Sequence, residues 1–125
     1  MLVVEDDAGI RELTAKTLLR HGYTVLQADG PAEALRLAGT SENIHLLVTE
    51  FLMPEANGLV LARQFRVGHP TTPVLMVSGS VKLFDGKVDD LDRFALLEKP
   101  FTAAELVSKV RTLLVETSPL PLRSC

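Results

Sequence analysis

Five polar or charged side chains each close, or directly follow, an apolar run of strand length. These side chains are Glu5, Asp6, Glu50, Ser78 and Lys99. The run before Glu50 is typical of a strand that is buried on both faces. Open α/β sheets place their chemistry at the carboxyl ends of such strands. We therefore treat the five side chains as one candidate site.

The residue types in this site indicate chemistry on a phosphate group. Three carboxylates repel one another unless a cation lies among them. Oxygen ligands of this kind favour Mg²⁺, which is bound by a few carboxylates and keeps several waters. Lys99 could balance charge and hold an anion, and the Ser78 hydroxyl could hydrogen-bond the same anion. A metal, a lysine and a hydroxyl around one carboxylate form a layout for phosphoryl transfer.

The strands that would carry these side chains alternate with helices. We predict strands over residues 1–4, 24–28, 46–50, 73–78 and 95–97. Continuous apolar strands between helices are typical of a parallel sheet covered on both faces. Right-handed crossovers then place every carboxyl end at one edge. We adopt the flavodoxin-like (βα)5 three-layer sandwich, with strand order 2-1-3-4-5, as a hypothesis, because the alternation alone does not fix the order.

Helical spacing predicts a first helix over residues 8–21. Asp7 is expected to cap its beginning, and Gly22 follows its end as the glycine that helices commonly carry there. Its helically spaced residues are Ile10, Leu13, Thr17 and Leu18.

The other predicted helices cover residues 32–38, 59–67 and about 103–116. Thr102 is expected to cap the last one. Its inward residues would be Leu106, Val110, Leu113 and Leu114. Residues 82–93 are harder to assign, because Gly86 and four aspartates would make any helix there short or irregular.

Composition bounds the class of protein. The 125 residues fit one domain, over residues 1–117, with residues 118–125 as a tail or linker. The net charge of −3 does not indicate a nucleic-acid or membrane surface. The single Cys125 excludes disulfide frameworks and cysteine metal sites. No run approaches the roughly 20 apolar residues of a transmembrane helix, and acidic residues interrupt the start at once. We expect a cytoplasmic protein.

Short motifs follow one another in a distinctive order along nearly the whole chain. They are LVVEDD with Ile10-Arg11, Gly22-Tyr23, Glu33-Ala34-Leu35, Met53-Pro54 with Asn57-Gly58, Pro73-Val74 leading to Ser78, and Lys99-Pro100-Phe101. Several are weak singly, but as an ordered set they resemble a response-regulator receiver domain. The VSGS and EKPFT segments and the short tail resemble the receivers at the carboxy-terminus of hybrid histidine kinases.

The resemblance implies roles for the site residues. Glu5 and Asp6 would be the acidic pair that binds Mg²⁺ together with Glu50, which falls at the position of the phosphoacceptor. Ser78 would be the switch hydroxyl, and both Ser78 and Lys99 would contact the phosphoryl group. Receivers accept that group from a phosphohistidine. The implied partner is therefore a histidine kinase or a histidine phosphotransfer domain, with homodimerisation left open.

The chain departs from the family pattern at two positions. Receivers carry aspartate where this chain has Glu50, and glutamate extends the carboxylate by one C–C bond, about 1.5 Å. That shift moves the nucleophile, and small misplacements can cost large rate factors. The longer side chain could instead imitate a phosphoryl group, with one negative charge rather than about 1.5 to 2. The second departure is Leu96, where receivers often have an aromatic residue that moves with the switch hydroxyl.

Simpler structural explanations exist for the same residues. The acidic triplet Glu5-Asp6-Asp7 could only favour a helix N-terminus through the helix dipole. Glu50 could be a solvated loop residue, Ser78 a turn residue and Lys99 a surface lysine ahead of a rigid turn. The combination of motifs weighs against these explanations.

Two other functions compete with phosphotransfer. The first is a pseudo-receiver that is never phosphorylated and acts only as a protein-binding module. The second is a small Mg²⁺-dependent phosphatase of the haloacid-dehalogenase type, which needs an aspartate nucleophile where this chain has Glu5. A flavodoxin is rejected, because acidic residues stand where its phosphate loop would be. At most, we expect self-phosphotransfer rather than enzymatic turnover.

Overall fold

Five strands form one parallel sheet in the computed structural model, which describes residues 1–41, 43–53, 57–79 and 94–117. The strands are β1 (Leu2–Val4), β2 (Leu26–Ala28), β3 (Leu47–Glu50), β4 (Val74–Ser78) and β5 (Phe94–Glu98). Their order is β2-β1-β3-β4-β5, and every neighbouring pair is parallel. The predicted order 2-1-3-4-5 is therefore confirmed.

Helices cover both faces of this sheet. The described helices are α1 (Ala8–Arg20), α2 (Pro31–Thr40), α3 (Gly58–Gly68) and α4 (Ala103–Thr117). Side chains alternate along β1, so that Leu2 and Val4 pack on one face and Val3 on the other. The first face lies under α2 and α3 and the second under α1 and α4, which confirms the three-layer sandwich. The predictions for residues 82–93 and 118–125 fall outside the described residues.

The predicted ends of α1 are confirmed, but only one of its four helically spaced residues, Leu18, is buried. Asp7 Oδ1 accepts a hydrogen bond from Ile10 N at 2.9 Å, and Gly22 has a φ of +90°, which glycine adopts without strain. The buried residues of α1 are Thr14, Ala15 and Leu18.

Ile10 and Leu13 are instead 36% and 66% exposed. With Thr17, they line an apolar groove of about 470 Å³ that Phe101 and Leu106 close on the other side. Helical spacing located the apolar residues of α1. The rotation of the helix follows from its packing on the sheet and α4, which spacing does not report.

The beginning of α4 is capped as predicted. Thr102 Oγ1 accepts a hydrogen bond from Glu105 N at 3.0 Å, and Glu105 Oε1 accepts one from Thr102 N at 2.8 Å. This reciprocal pair is a capping box. The helix buries Leu106, Val110 and Leu113, while Leu114 is half-buried.

A cluster of contacts closes the opposite, amino-terminal edge of the sheet. The Arg66 guanidinium donates to the Thr72 carbonyl oxygen at 3.2 and 3.3 Å and lies 4.4 Å above the Phe94 ring. Thr72 Oγ1 donates to the Ile44 carbonyl oxygen at 2.9 Å. These contacts tie α3 to the beginning of β5 at the edge away from the candidate site.

Candidate functional site

The carboxyl ends of the strands bring four of the five predicted residues to one edge. Glu5 directly follows β1, Glu50 ends β3, Ser78 ends β4 and Lys99 follows β5. Backbone hydrogen bonds continue past the strand ends, from Glu5 N to the Ala28 oxygen at 3.1 Å and from Lys99 N to the Ser78 oxygen at 2.8 Å. Asp6, the fifth, lies beside Glu5 and is exposed.

Lys99 lies between two buried carboxylates. Its Nζ is 3.2 Å from Glu5 Oε1 and also contacts Glu50 Oε1. The side chains of Glu5 and Glu50 are only 8% and 7% exposed, and that of Lys99 is 25% exposed. Because a buried charge is costly unless it is paired, the ammonium compensates both carboxylates at once.

The second oxygen of each carboxylate binds the backbone of the following loop. Glu5 Oε2 accepts a hydrogen bond from Asp7 N at 3.2 Å. Glu50 Oε2 accepts hydrogen bonds from Phe51 N at 3.0 Å and from Leu52 N at 3.2 Å. Both oxygens of each glutamate therefore have a partner, one on Lys99 and one on the chain just beyond.

Burial and pairing shift two pKa values in this cluster. Burial raises the pKa of Glu5, because desolvation disfavours the carboxylate, and the Asp7 N–H and Lys99 only partly oppose this effect. Burial by itself lowers the pKa of Lys99. The contacts with Glu50 and Glu5 outweigh that effect, so the pKa of Lys99 lies above its usual value and the side chain is charged at neutral pH.

A close backbone approach holds the loop after β3. Gly58 N donates to the Phe51 oxygen at 2.6 Å, and Leu52 forms an antiparallel bridge with Asn57. Asn57 Oδ1 then caps α3 by accepting from Val60 N at 2.9 Å. These contacts hold together the two ends of the predicted turn over residues 53–58. Residues 54–56 lie outside the described part of the chain.

One contact in the site had no counterpart in the sequence prediction. Arg11 Nη1 donates to the Glu5 carbonyl oxygen at 2.8 Å, so the guanidinium fixes the backbone at the end of β1. The sequence pattern placed Arg11 in a motif without a role. Its position six residues after Glu5, in the early turns of α1, was the available signal.

The predicted switch residues lie on neighbouring strands. Ser78 is 1% exposed, and Leu96 is half-buried against the core on the α3 side. In the strand register, Ser78 pairs with Glu98 and Met76 pairs with Leu96. Leu96 thus lies two residues before Glu98, the residue that pairs with Ser78 on β5.

The carboxylate oxygens of this site suit Mg²⁺, but in this structure the Lys99 ammonium lies between Glu5 and Glu50. The buried donors are carboxylate oxygens, and the position of Lys99 Nζ demonstrates that one cation can contact Glu5 and Glu50 together. Within the ranges that the structure describes, no three His, Cys, Asp or Glu side chains are grouped closely enough to hold a metal ion. Binding through Glu5, Asp6 and Glu50 would require Lys99 to move and Asp6 to turn inward.

Fold and site together define a doubly wound α/β domain with an acidic cluster and a lysine at its carboxyl edge. The chain belongs to the response regulator receiver domain family, whose model matches residues 1–111. Receiver domains are signalling modules of two-component systems. Family membership gives no support to the phosphatase alternative.

Curated and solved relatives agree with this family. The chain is 35% identical over 125 residues to response regulator MprA of Mycobacterium avium, covering 95% of this chain and 52% of the relative. It thus spans about half the length of the curated relatives it matches.

Two solved receiver domains share the fold. That of the hybrid histidine kinase CckA is 31% identical with a TM-score of 0.78, covering 90% of this chain and 96% of the other. That of NtrX from Brucella abortus is 30% identical with a TM-score of 0.81, covering 94% and 98%. No helix among the described residues is long and apolar enough to cross a membrane.

Proposed function

We propose that this chain is a phosphorelay receiver whose acceptor position carries Glu50, so that phosphoryl transfer from a phosphohistidine is impaired. The partner would be a histidine kinase or a histidine phosphotransfer domain, met in the cytoplasm. Ser78 and Lys99 would contact the phosphoryl group, and Ser78 with Leu96 would form a switch that lacks the usual aromatic ring. Mg²⁺ would be held by Glu5, Asp6 and Glu50, and it would supply charge neutralisation.

The observation that carries this proposal is the full engagement of the Glu50 carboxylate. One oxygen contacts Lys99 and the other accepts two backbone N–H groups. A nucleophilic oxygen would first have to leave one of these partners. The extra methylene of glutamate, about 1.5 Å long, also displaces that oxygen from the place an aspartate oxygen would take.

A second version of the function is favoured by the contact between Glu50 and Lys99. If Lys99 is the phosphoryl-contacting lysine, the Glu50 charge already lies against it without phosphorylation. The chain would then be a pseudo-receiver that binds its protein partner in one constant state. The single negative charge of Glu50 would stand in for the roughly 1.5 to 2 negative charges of a phosphoryl group.

Acetyl phosphate with Mg²⁺ tests the impaired acceptor. The protein and its Glu50→Asp variant would be treated together and weighed by intact mass, with Glu50→Ala as the control for phosphorylation elsewhere. We expect one phosphoryl adduct on Glu50→Asp and none on the other two proteins. Adducts on the unaltered protein but not on Glu50→Ala would refute the impairment, and adducts on none would leave the pseudo-receiver as the better description.

A further inference from the structure

At the carboxyl edge of the sheet, the Lys99 ammonium links Glu5 and Glu50, which lead into the loops after β1 and β3. We infer that Lys99 is a positioning residue, a tethered cation that holds the loops after β1 and β3 in place without a bound metal ion. This inference goes beyond the proposed function, since it depends only on the described contacts and not on phosphotransfer.

The two glutamates make matching contacts from neighbouring strands. Val4 pairs with Thr49 in the register of β1 and β3, so Glu5 and Glu50 are the next residues of adjacent strands. Each places Oε1 on Lys99 Nζ and offers Oε2 to the N–H group two residues further on, that of Asp7 or Leu52. A carboxylate that bridges a cation and a backbone N–H fixes the loop relative to the cation.

Lys99 reaches this position from β5, the strand at one end of the strand order. It follows β5, which is separated from β3 by β4. Its contact with Glu5 therefore spans strands β1, β3, β4 and β5 at their carboxyl ends. A divalent ion in the same place would contact the same two carboxylates, but Lys99 is covalently part of the chain and is always present.

The anchored loops lead directly into two helices. Asp7, whose N–H is held by Glu5, caps α1 through Ile10 N. Leu52, whose N–H is held by Glu50, pairs with Asn57, which caps α3 through Val60 N. The position of the Lys99 ammonium thereby sets how the first turns of both helices sit on the sheet.

Amide hydrogen exchange measured by NMR in EDTA tests this inference. The reporters are the N–H groups of Asp7 and Leu52, compared in the unaltered protein, in Lys99→Met and in Lys109→Met. Lys109 is an exposed lysine on α4 and serves as the matched control. We expect both amides to exchange about tenfold faster or more in Lys99→Met and to be unchanged in Lys109→Met.

Added Mg²⁺ distinguishes whether Lys99 acts through its positive charge or only through the space that its side chain fills. In Lys99→Met, millimolar Mg²⁺ should slow exchange at both amides again, because a divalent ion can take the place of the ammonium between the carboxylates. Three results would each overturn the inference. They are exchange rates in Lys99→Met equal to those of the unaltered protein, faster exchange at only one of the two amides, and exchange in Lys99→Met that Mg²⁺ does not slow. If Lys99→Met fails to fold, Lys99→Gln is measured instead, with the same expectations.

Discussion

Gly58 packs directly against the backbone of Glu50. A Cβ atom at position 58 would lie 2.7 Å from the Glu50 carbonyl oxygen and 3.1 Å from Phe51 Cα. Since both neighbours are backbone atoms, a side chain at this position can be accommodated only if the end of β3 moves. The beginning of α3 is therefore fixed against the residue at the acceptor position.

This close approach predicts that Gly58→Ala destabilises the domain. Overpacking against backbone should lower the free energy of unfolding by about 1–3 kcal/mol. Urea denaturation followed by circular dichroism measures the change. Gly39→Ala is the matched control, because nothing lies within 4 Å of a Cβ there and alanine favours the helix. Equal stabilities of Gly58→Ala and the unaltered protein would contradict the steric argument.

The capping box of α4 predicts a loss in Thr102→Ala. Removing the hydroxyl leaves Glu105 N without this acceptor and should cost about 0.5–2 kcal/mol of unfolding free energy. Thr112→Ala is the control, since its hydroxyl donates to the Ser108 carbonyl in the middle of the same helix. A larger loss for Thr112→Ala than for Thr102→Ala, measured by urea unfolding, would rule out capping as the cause.

The pKa of Glu5 predicts an unusual pH dependence. Because burial raises this pKa in the folded state, the contribution of Glu5 to stability is present below its unfolded pKa and is lost as pH rises through its folded pKa. As pH rises from about 4 to about 7, the free energy of unfolding of Glu5→Gln should therefore increase relative to that of the unaltered protein. Urea unfolding without divalent ions measures this difference.

Glu33 provides a control of opposite sign. A hydrogen bond from Arg36 lowers the pKa of Glu33, so its contribution is present above its unfolded pKa and is lost as pH falls through its folded pKa. Glu33→Gln should thus lose stability relative to the unaltered protein as pH rises over the same range. If both variants showed the same slope, burial of Glu5 would not explain the result.

The contacts of Arg66 predict a structural role away from the site. Arg66→Met removes the hydrogen bonds to the Thr72 carbonyl and the cation–π contact with Phe94, and should cost about 1–2 kcal/mol of unfolding free energy. Arg20→Met, an exposed change at the end of α1, should cost less. An unaltered thermal midpoint in Arg66→Met would contradict the prediction.

The sequence predicted those parts of the fold that depend on local pattern. Apolar runs located the strands, and Thr102 and Asp7 marked helix beginnings through their own capping chemistry. The common placement of Glu5, Glu50 and Lys99 followed from the rule that parallel strands end at one edge. Each of these predictions needs only neighbouring residues or a general rule of topology.

Features set by distant residues could not be predicted in this way. The face that α1 buries depends on its packing with the sheet and with α4, so helical spacing alone did not show that Leu13 is exposed while Leu18 is buried. The bridging of Glu5 and Glu50 by Lys99 depends on side-chain geometry at the completed sheet edge. The contact from Arg11 to the Glu5 carbonyl likewise requires the finished turn between β1 and α1.

The ion pair between Glu5 and Lys99 joins residues that are 94 positions apart. A ribosome that has released only the first four strands has delivered both glutamates but not their shared counter-ion. During synthesis the two carboxylates therefore lack this counter-ion until β5 and Lys99 have been made. The charge cluster at the site is thus completed only after β5 joins the sheet, and its formation reports that strands β1, β3, β4 and β5 have assembled.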